Sequence, residues 1–504
     1  MEQGVNSLDR LFETIRANYP NTELKSIRDA FEFARTAHEG QMRKSGEPYF
    51  NHAYHTSFLL AEWRMSPAMI MAGMLHDVPE DTKHTVEDVR KNFGEDIASM
   101  VEGETKLSQL KYRGVERYAE NLRKMFFSIA QDVRIVIVKF ADRIDNMRTL
   151  SIFPEAKRHR IALETLEIYA AIANRLGMGI IRKQLEDLSF QYIYPTEYAW
   201  VTGLVKEQYA ATEPYVEKMK NTILDDLRQA NINILDVHSR TKGFYSLYKK
   251  LLKHDRDFKQ IYDIVACRVI VSTVADCYSV LGVIHNRWKP LKGRIKDYIA
   301  QPKPNGYQSL HTTVFCDNGQ IVEFQIRNQE MHEQSQYGLA AHWFYKEQGK
   351  SSPFEKKYTA WLKELGKFQK EMADSSKFLE TLESLKIDLF QNRIFVFTPN
   401  GDVIDLPEGA TAVDFAYAIH TDMGDHCTAA KVNDRITPLD APLLSSDVIE
   451  IVTDKKRKSP SVTWLKSVKT RHARSKIREQ IKKTRLGELL LHIAPTNING
   501  KKNR

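Results

Sequence analysis

Apolar residues recur at helical spacing through the first 195 positions of the chain, for example from Phe31 to Ala37 and from Ile161 to Leu176. This pattern predicts an all-α domain over residues 1–195. The segment Tyr194-Pro195-Thr196 breaks the pattern and predicts the end of that domain.

Strand-like patterns begin in the next segment. The apolar run from Tyr262 to Val271 predicts a buried strand, and Ile321 to Ile326 alternates strictly between apolar and polar residues. Asp263 lies near the start of the first strand, and alternation places Glu323 on the polar face of the second. If the two strands are neighbours, these carboxylates form a pair able to hold Mg²⁺ against a triphosphate. The segment predicts an α+β domain over residues 196–345.

The last third of the chain changes character twice. A charged, helix-prone segment predicts a helical linker over residues 346–388. Two short strand patterns then flank the turn Pro399-Asn-Gly-Asp402, and residues 412–420 have helical spacing. We therefore predict a small domain of strands with one helix over residues 389–453, followed by a basic helical tail over residues 454–504.

The composition is typical of a folded, multidomain protein. Of the 504 residues, 42% are hydrophobic and 28% are charged, and the length predicts roughly three domains. No apolar run reaches the roughly 18 residues of a membrane span, and none of the four cysteines lies in a Cys-x-x-Cys pair. We therefore predict a cytoplasmic protein with buried thiols and no membrane partner.

The formal charge of +9 is concentrated at one end of the chain. Residues 455–504 contain 16 Lys or Arg and 2 Asp or Glu, so this segment carries +14 and the rest of the chain −5. Such a segment suits RNA phosphates, although solvated basic helices are common as well.

A basic segment in the α+β domain has the composition of a nucleotide site. Arg294, Lys296 and Lys303 supply positive charge for phosphates. Asn305-Gly306 predicts a turn that lets the backbone approach a ligand, and Tyr307 offers a flat face for a base. The alternative is a solvated basic loop around a core tyrosine.

Six segments in this order resemble the synthetase domain of the RelA/SpoT homologues, the enzymes that make and destroy the alarmone (p)ppGpp. They are Arg240-Thr-Lys242 with Ser246 and Lys250, Tyr262-Asp263, Arg294-x-Lys296-Asp297, Asn305-Gly-Tyr307-Gln308-Ser-Leu-His311, Glu323-Phe-Gln-Ile-Arg327 and Tyr337-Gly-Leu-Ala-Ala-His342. The resemblance implies a nucleotidyltransferase-like α+β fold. It also implies transfer of the β,γ-pyrophosphate of ATP to the 3′-hydroxyl of GDP or GTP, a reaction that mainly needs positioning and neutralised charge.

The same resemblance implies roles for individual residues. Asp263 and Glu323 would bind Mg²⁺, and Glu323 would also activate the hydroxyl. Tyr307 would stack on guanine, with His311 close to the acceptor's phosphates. The other matched positions would bind the nucleotides: Arg240, Lys242, Ser246, Lys250, Arg294, Lys296, Lys303, Asn305 and Gln308.

A second set of residues follows the H…HD…D order of the HD-type metal phosphohydrolases. His52, the pair His76-Asp77 and Asp142 offer two imidazoles and two carboxylates, a ligand set suited to Mn²⁺, Fe or Mg²⁺. The segments around them resemble the hydrolase domain of the same family. The resemblance implies a Mn²⁺ site in which the metal polarises the 3′-pyrophosphate of (p)ppGpp and activates a water molecule.

Further hydrolase residues follow from this resemblance. Glu80 and Asp81 are candidates to orient the water or to take its proton. The positions that would bind the substrate are Arg43, Lys44, Asn146, Arg148 and Thr149.

Two residues depart from the family pattern. Asp145 stands where the family usually has histidine, and its charge would tighten metal binding or slow product release. Pro79 falls inside the His-Asp-x-x-Glu-Asp motif, so we expect one helix to end near Val78 and a new turn to start at Pro79. The alternative to an active hydrolase is a domain kept for packing. Retention of all four expected ligands favours activity.

The small domain resembles the TGS domain, a β-grasp module that follows the synthetase in long family members. Tyr417-Ala-Ile-His420-Thr matches the helix end of that module, and the resemblance places His420 at the 3′ end of uncharged tRNA on the ribosome. A plain helix cap is the alternative for this histidine. In long family members a zinc-finger and ACT region follows this module, and the resemblance over the present sequence ends before that region.

The resemblance predicts a bifunctional enzyme with ATP, GDP or GTP, and (p)ppGpp as substrates. Arg294-x-Lys296-Asp297 favours this class, because synthetase-only members show an acidic motif there. One alternative is a hydrolase whose synthetase half only senses nucleotides. Another is a regulator that binds the ribosome and tRNA through two degenerate sites.

Overall fold

The computed structural model describes residues 8–108, 125, 128–129, 131–258, 261, 265–303, 305–316, 321–341, 393–399, 403–444, 447–454, 457 and 459–482. The chain forms two compact units, Met1–Ala373 and Asp374–Arg504. Within the described ranges, no helix is long and apolar enough to cross a bilayer. The predicted linker over residues 346–388 lies outside the described residues.

The first unit begins with a helical domain, as the periodicity predicts. Its helices are α1 (Leu8–Asn18), α2 (Lys25–Ala37), α3 (Phe50–Glu62), α4 (Pro67–Leu75), α5 (Val78–Asp81), α6 (Val86–Phe93), α7 (Glu95–Ser108), α8 (Val133–Arg148), α9 (Glu155–Glu164), α10 (Ala170–Arg175) and α11 (Gly179–Ile193). A short π-helical stretch, Thr165–Tyr169, joins α9 to α10.

The centre of this domain is formed by α3, α4 and α8. Helix α4 has the sequence Pro-Ala-Met-Ile-Met-Ala-Gly-Met-Leu, and every side chain from Met69 to Leu75 is buried. Helices α3 and α8 bury most of their residues too, including the polar His52 and Asp142. These polar groups therefore lie in the interior, where they need partners.

The helix break near Pro79 lies earlier than predicted. Helix α4 ends at Leu75 and α5 begins at Val78, so the break falls on His76 and Asp77 rather than after Val78. The Asp77 carbonyl accepts hydrogen bonds from the backbone N–H groups of Glu80 and Asp81, which starts the new turn before the proline. Pro79 then sits in the first turn of α5, where a missing N–H costs nothing.

An α+β domain completes the described part of the first unit. Its elements are α12 (Pro195–Gln229), β1 (Ile234–Thr241), α13 (Phe244–Lys253), β2 (Val265–Val271), α14 (Val274–Arg287), β3 (Lys289–Pro290), β4 (Lys296–Asp297), β5 (Leu310–Phe315), β6 (Ile321–Asn328) and α15 (Gln329–Tyr337). The strand order is β1-β2-β6-β5-β3, and β4 pairs with β5. Strands β2 and β6 are parallel, and the other pairs are antiparallel.

The two faces of β6 follow the predicted alternation. Val322, Phe324 and Ile326 are buried in the apolar core beneath α12 and α14. The opposite face carries Glu323, Gln325 and Arg327, and the last two are only 2% and 1% exposed. Buried polar groups need hydrogen-bond partners, and Gln325 and Arg327 find them in Glu323 and Tyr307.

The helical and α+β domains meet at a glycine. Gly338 has φ +55°, and a Cβ atom there would lie 2.2 Å from the carbonyl oxygen of Leu176. The next residue, Leu339, donates its N–H to that same carbonyl at 3.0 Å. Only glycine allows this close approach, so the backbone itself joins the two domains.

The second unit contains the small domain and the helices that follow it. Its elements are β7 (Arg393–Phe397), β8 (Val403–Pro407), α16 (Ala412–Ile419), α17 (Thr421–Asp425), β9 (Cys427–Val432), β10 (Arg435–Thr437), β11 (Ile449–Thr453), α18 (Trp464–Ser467) and α19 (Arg471–Lys482). Strands β7 and β8 form the predicted hairpin, and β9 lies between β10 and β11.

Part of the predicted basic tail packs on the small domain. One face of α19, formed by Ala473, Ile477 and Ile481, is buried in a core shared with α16. The buried Asp414 carboxylate of α16 accepts hydrogen bonds from the N–H groups of Lys469 and Thr470 at 3.0 and 2.7 Å. Helix α19 is therefore anchored to the small domain by apolar contacts and by a buried carboxylate. Residues 483–504 lie outside the described part of the chain.

Candidate functional site

The predicted ligands of the helical domain form one cluster. His52 comes from α3, His76 and Asp77 from the break between α4 and α5, and Asp142 from α8. The His52 Nε2 atom lies 3.1 Å from an Asp142 oxygen and 3.3 Å from an Asp77 oxygen. Ligand atoms of His52, His76 and Asp142 all lie within 4.8 Å of one another. Such spacing suits a single cation bound among them.

The histidine nitrogens fit a metal ion. His76 Nδ1 lies 2.8 Å from the Gly73 carbonyl oxygen, which accepts its proton. The buried His76 Nε2 makes no hydrogen bond among the described residues, although an Asp77 oxygen is 3.1 Å away. A buried acceptor nitrogen facing carboxylates is the arrangement of a metal ligand whose other nitrogen is held by a carbonyl. The set of two imidazoles and two carboxylates therefore fits a divalent cation.

The charges in the cluster stabilise one another. Burial opposes the charged form of His52, but hydrogen bonds with Asp142, Asp145 and Asp77 raise the pKa of this imidazole well above its usual value. Burial likewise opposes ionisation of Asp142, and Lys139 and His52 lower the pKa of its carboxyl. A cation that binds here would therefore displace a proton.

Sequence reasoning missed several residues around the cluster. Lys139 Nζ lies 2.6 Å from a Glu104 oxygen and 2.9 Å from an Asp142 oxygen, so it partly neutralises the cluster. The Tyr49 hydroxyl lies 2.9 Å from Asp77 and 2.5 Å from Asp81. Tyr49 and Lys139 belong to the segments that resemble the hydrolase family, but nothing in the pattern indicates which carboxylates they contact.

Glu80 and Asp81 lie on α5, beside the cluster. Burial and the negative charges of Glu104 and Asp77 raise the pKa of the Glu80 carboxyl to about 7. A carboxyl with this pKa can both take and return a proton near neutral pH. Asp81 is held by the Tyr49 hydroxyl, which fixes its orientation relative to Asp77.

The predicted substrate residues of the helical domain have different surroundings. Arg43 donates to Asp145 at 2.9 Å and to Asn146 at 2.7 Å, which places both beside the cluster. Lys44 lies over the Phe153 ring at 5.6 Å. The Thr149 hydroxyl donates to the Asn146 carbonyl at 3.4 Å.

Arg148 is the last residue of α8. It lines the large cavity of the α+β domain.

That cavity has a volume of about 1020 Å³, large enough for nucleotides. It lies between α11 of the helical domain and the polar face of strands β1, β2 and β6. The predicted residues that line it are Arg240, Lys242, Ser246, Lys250, Arg294, Lys296, Lys303, Asn305, Tyr307, His311 and Glu323. Tertiary structure thus brings together residues spread over more than 80 positions of the sequence.

The Tyr307 side chain, predicted to stack on a base, already has several partners within the protein. Its hydroxyl lies 2.7 Å from His311 Nε2 and accepts a hydrogen bond from Arg327 at 2.8 Å. Burial opposes ionisation, but the positive charges of His311, Arg327 and Lys303 lower the pKa of the phenol to about 6. Lys303 also lies over the ring at 5.0 Å. A base that stacks on Tyr307 must therefore displace or share this lysine.

Of the predicted carboxylate pair, Glu323 lies among the described residues. Glu323 lies opposite Ala266 in the parallel pairing of β2 with β6, so the two strands are neighbours as expected. Asp263 lies outside the described residues. Glu323 Oε1 lies 3.1 Å from His311 Nδ1 and accepts a hydrogen bond from Gln325 at 2.9 Å.

Three of the predicted residues make hydrogen bonds that hold loops or helices in place. Ser246 donates to Glu186 of α11 at 3.0 Å, and Gln308 donates to the Ile299 carbonyl at 3.1 Å. The Asn305 side chain donates to the Asn174 carbonyl at 3.4 Å. Ser246 and Asn305 therefore also connect the α+β domain to the helical domain.

We expect Asp187→Asn to stabilise the protein at pH 8 and to have a clearly smaller effect at pH 4.5. Asp187 lines the cavity and accepts a hydrogen bond from the Tyr245 N–H at 3.0 Å. Burial raises the pKa of this carboxyl to about 6, above its value in the unfolded chain. Ionisation therefore destabilises the folded state at pH values above about 6, and protonation removes that cost as the pH falls towards 4.

The expected gain at pH 8 is about 1–3 kcal/mol, since one pKa unit corresponds to about 1.4 kcal/mol. Calorimetric melting of the full chain at both pH values measures it. Asp225→Asn, at an exposed carboxylate of α12, is the control and should show no such pH-dependent difference. Equal melting temperatures of wild type and Asp187→Asn at pH 8 would contradict the expectation.

His420 of the small domain is exposed and caps a helix. It follows the end of α16, and its Nδ1 atom accepts a hydrogen bond from the N–H of Asp422 at 3.2 Å. His420 therefore caps the helix through Nδ1, and its Nε2 atom takes no part in that hydrogen bond.

The fold and these two sites define a class: a protein with a helical HD-type domain suited to a divalent cation, an α+β domain with a nucleotide-sized cavity, and a small β-rich third domain. Family models match all three: the HD domain at residues 30–179, the region found in RelA / SpoT proteins at residues 239–350, and the TGS domain at residues 394–453. The chain belongs to the RelA/SpoT family, which confirms the resemblance seen in the sequence.

Curated relatives include proteins named for synthesis, for hydrolysis and for both. The chain is 45% identical to a guanosine-3′,5′-bis(diphosphate) 3′-pyrophosphohydrolase of Aquifex aeolicus, over 95% of this chain and 68% of that protein. It is 43% identical to the bifunctional (p)ppGpp synthase/hydrolase SpoT of Escherichia coli, over 94% and 67%. It is 44% identical to a GTP pyrophosphokinase of Streptomyces coelicolor, over 96% and 59%. The chain thus spans about three fifths to two thirds of the length of these relatives.

Proposed function

We propose that this chain is a bifunctional alarmone enzyme of the stringent response. It transfers the β,γ-pyrophosphate of ATP to the 3′-hydroxyl of GDP or GTP in the α+β domain. It hydrolyses (p)ppGpp to GDP or GTP and pyrophosphate in the helical domain. The observation that carries the proposal is that one unit holds both a buried His/Asp cluster and a separate cation-lined cavity. Relatives named for synthesis, for hydrolysis and for both support the two activities.

For hydrolysis, we assign the cluster of His52, His76, Asp77 and Asp142 to Mn²⁺. This ion would supply Lewis-acid activation of water and of the 3′-pyrophosphate. Glu80 takes the proton of the attacking water, for which its raised pKa suits it. Arg43, fixed by Asp145 and Asn146 beside the cluster, binds the phosphates.

For synthesis, we assign Glu323 and Asp263 to Mg²⁺ and Glu323 also to the activation of the 3′-hydroxyl. His311 Nδ1 lies 3.1 Å from Glu323. A GDP or GTP whose 3′-hydroxyl is at Glu323 would therefore also lie close to His311. The cations Arg240, Lys242 and Lys250 line the same cavity and neutralise the triphosphate. Tyr307 receives guanine once Lys303 leaves its ring.

Two assays on the purified full chain test this function. One contains ATP, GDP and Mg²⁺ and measures ppGpp formation. The other contains ppGpp and Mn²⁺ and measures GDP and pyrophosphate release. Turnover in both supports the proposal. Hydrolysis alone would indicate a synthetase half that senses nucleotides, and turnover in neither would overturn the enzymatic assignment and leave a binding role.

We also propose that the second unit binds the ribosome and uncharged tRNA through the TGS domain and the basic helices. His420 is exposed at a helix end, and Lys466, Lys476 and Arg478 on α18 and α19 are not part of the apolar core of this unit. Phosphate neutralisation by such residues would dominate the affinity.

A triple substitution to glutamine of Lys466, Lys476 and Arg478 is expected to weaken RNA binding. These side chains are not part of the buried face of α19, so the fold is kept. The slope of log affinity against log salt concentration should fall by roughly 0.7 for each lost phosphate contact with single-stranded RNA. Filter binding to deacylated tRNA at several salt concentrations measures both effects.

The matched control replaces three exposed lysines of the helical domain with glutamine: Lys25, Lys83 and Lys91. It should leave the salt slope unchanged. His420→Ala should instead reduce the preference for deacylated over aminoacylated tRNA with little change in slope. An unaltered slope in the triple variant would mean that the basic helices are merely solvated.

A further inference from the structure

Asp145 lies in the middle of the helical-domain cluster, although the predicted ligand set does not include it. The residue is only 2% exposed. One oxygen lies 2.7 Å from His52 Nδ1, 93 positions away in the sequence. That same oxygen accepts a hydrogen bond from Arg43 at 2.9 Å. The other oxygen lies 3.2 Å from Nδ1 of His55, a half-exposed histidine one helical turn after His52.

These contacts belong to a closed ring of polar side chains. Arg43 donates to Asp145 and to Asn146, and Asn146 donates to Asp142 at 2.5 Å. Asp142 in turn lies 3.1 Å from His52 Nε2, and His52 Nδ1 returns to Asp145. The ring therefore joins two predicted metal ligands to the predicted phosphate-binding arginine through Asp145 on one side and Asn146 on the other.

The ring fixes which nitrogen of His52 faces the cation. A neutral imidazole carries one proton, and the nitrogen that binds a metal must be the one without it. Asp145 accepts the proton at Nδ1, so that once a cation displaces the proton of Nε2, the lone pair of Nε2 is directed at the space between Asp77 and Asp142. A carboxylate partner also makes the ligand nitrogen more basic than a neutral acceptor does.

We propose that Asp145 is a positioning residue of this metal site, which holds His52 as the Nδ1–H tautomer and fixes Arg43 beside the bound cation. The inference rests on the proposed metal role of the cluster. It goes beyond that role because it assigns a function to a residue outside the ligand set. In this role Asp145 acts through its hydrogen bonds with His52 and Arg43, not by direct contact with the cation or the substrate.

The first test measures Mn²⁺ affinity, which needs no turnover. The full chain is titrated with Mn²⁺ at pH 7.5, and free Mn²⁺ is followed by electron paramagnetic resonance. We expect Asp145→Ala to weaken binding by about 10- to 100-fold, the usual effect of losing the carboxylate partner of a ligand histidine. Asp145→Asn keeps an acceptor oxygen but loses the charge, so its loss should be smaller, under about tenfold.

The control is Asp132→Asn, at the opposite end of the same helix. Asp132 accepts hydrogen bonds from Arg134 and caps α8, so this variant removes a carboxylate that pairs with an arginine away from the cluster. It should bind Mn²⁺ as the wild type does. If folded Asp145→Ala and Asp145→Asn both bind Mn²⁺ within twofold of wild type, the proposal is overturned and Asp145 only supports the fold.

A second measurement uses the unaltered protein, so it does not depend on the folding of any variant. Nitrogen-15 spectra of histidine-labelled protein saturated with Mg²⁺ report which ring nitrogen of His52 carries the proton. We expect protonated Nδ1 and unprotonated Nε2. The opposite tautomer would refute the proposed role. Failure of the enzymatic assignment itself would appear separately, as Mn²⁺ binding of the expected affinity without hydrolysis of ppGpp.

Discussion

Replacing Asp77 with asparagine is expected to reduce hydrolysis of (p)ppGpp by roughly 10³-fold and to leave synthesis unchanged. Asp77 contributes a carboxylate oxygen within 3.3 Å of both histidine Nε2 atoms of the cluster. The substitution keeps the shape of the side chain and removes one negative charge from the proposed cation site. Metal activation supplies several kcal/mol, and each 1.4 kcal/mol corresponds to a tenfold change in rate.

Initial rates of ppGpp hydrolysis and of ppGpp formation, measured on the same preparation, check this result. Asp29→Asn, at an exposed carboxylate on α2, is the matched control and should retain both activities. A folded Asp77→Asn protein that hydrolyses at the wild-type rate would remove Asp77 from the site. Loss of both activities in a folded protein would contradict the assignment of the two reactions to separate sites.

The mirror-image result is expected for Glu323→Gln, which should lower synthesis by roughly 10²- to 10⁴-fold, the usual contribution of a general acid or base. Glu323 lies on the polar face of β6, where Gln325 and His311 hold its carboxylate within hydrogen-bonding distance. Glutamine keeps an acceptor oxygen there. It can neither take the proton of the 3′-hydroxyl nor offer a negative charge to a cation.

Hydrolysis should be unaffected, because the His/Asp cluster belongs to a different domain. Glu330→Gln, an exposed carboxylate at the start of α15 just after β6, serves as the control for a nearby loss of charge. The decisive measurement is ppGpp formation at saturating ATP and GDP. Synthesis within a few-fold of wild type would exclude Glu323 as the activating group, and the assignment of the carboxylate pair would then have to change.

Local patterns in the sequence were sufficient for the architecture. Helical periodicity over residues 1–195 and strict alternation around Glu323 each show which face of an element is buried. That can be predicted without knowing which residues pack against the face. The hairpin at the start of the small domain follows from its turn residues. The H…HD…D order of ionisable residues, together with the segments around them, then sufficed to predict a cluster from His52 to Asp142.

The contacts between distant residues could not be predicted in the same way. The break at His76 and Asp77 depends on hydrogen bonds from the turn that follows, so Pro79 alone misplaced it. Arg148 follows the Asn146 motif in the sequence, yet it lines the cavity of the next domain because α8 ends there. Tyr307 offers a flat ring, but three cations around it are visible only in the folded chain.

The sequence by itself determined the domain classes, the family, the four proposed ligands of the His/Asp cluster and eleven of the residues that line the cavity. These follow from side-chain periodicity and from the order of motifs, both of which are local properties of the chain. Tertiary structure alone decided the partners: Asp145 with His52, Lys139 with Glu104, and the apolar face of α19 with the small domain. Such pairs join positions far apart in the chain, and a buried charge takes whichever partner the packing brings within hydrogen-bonding distance.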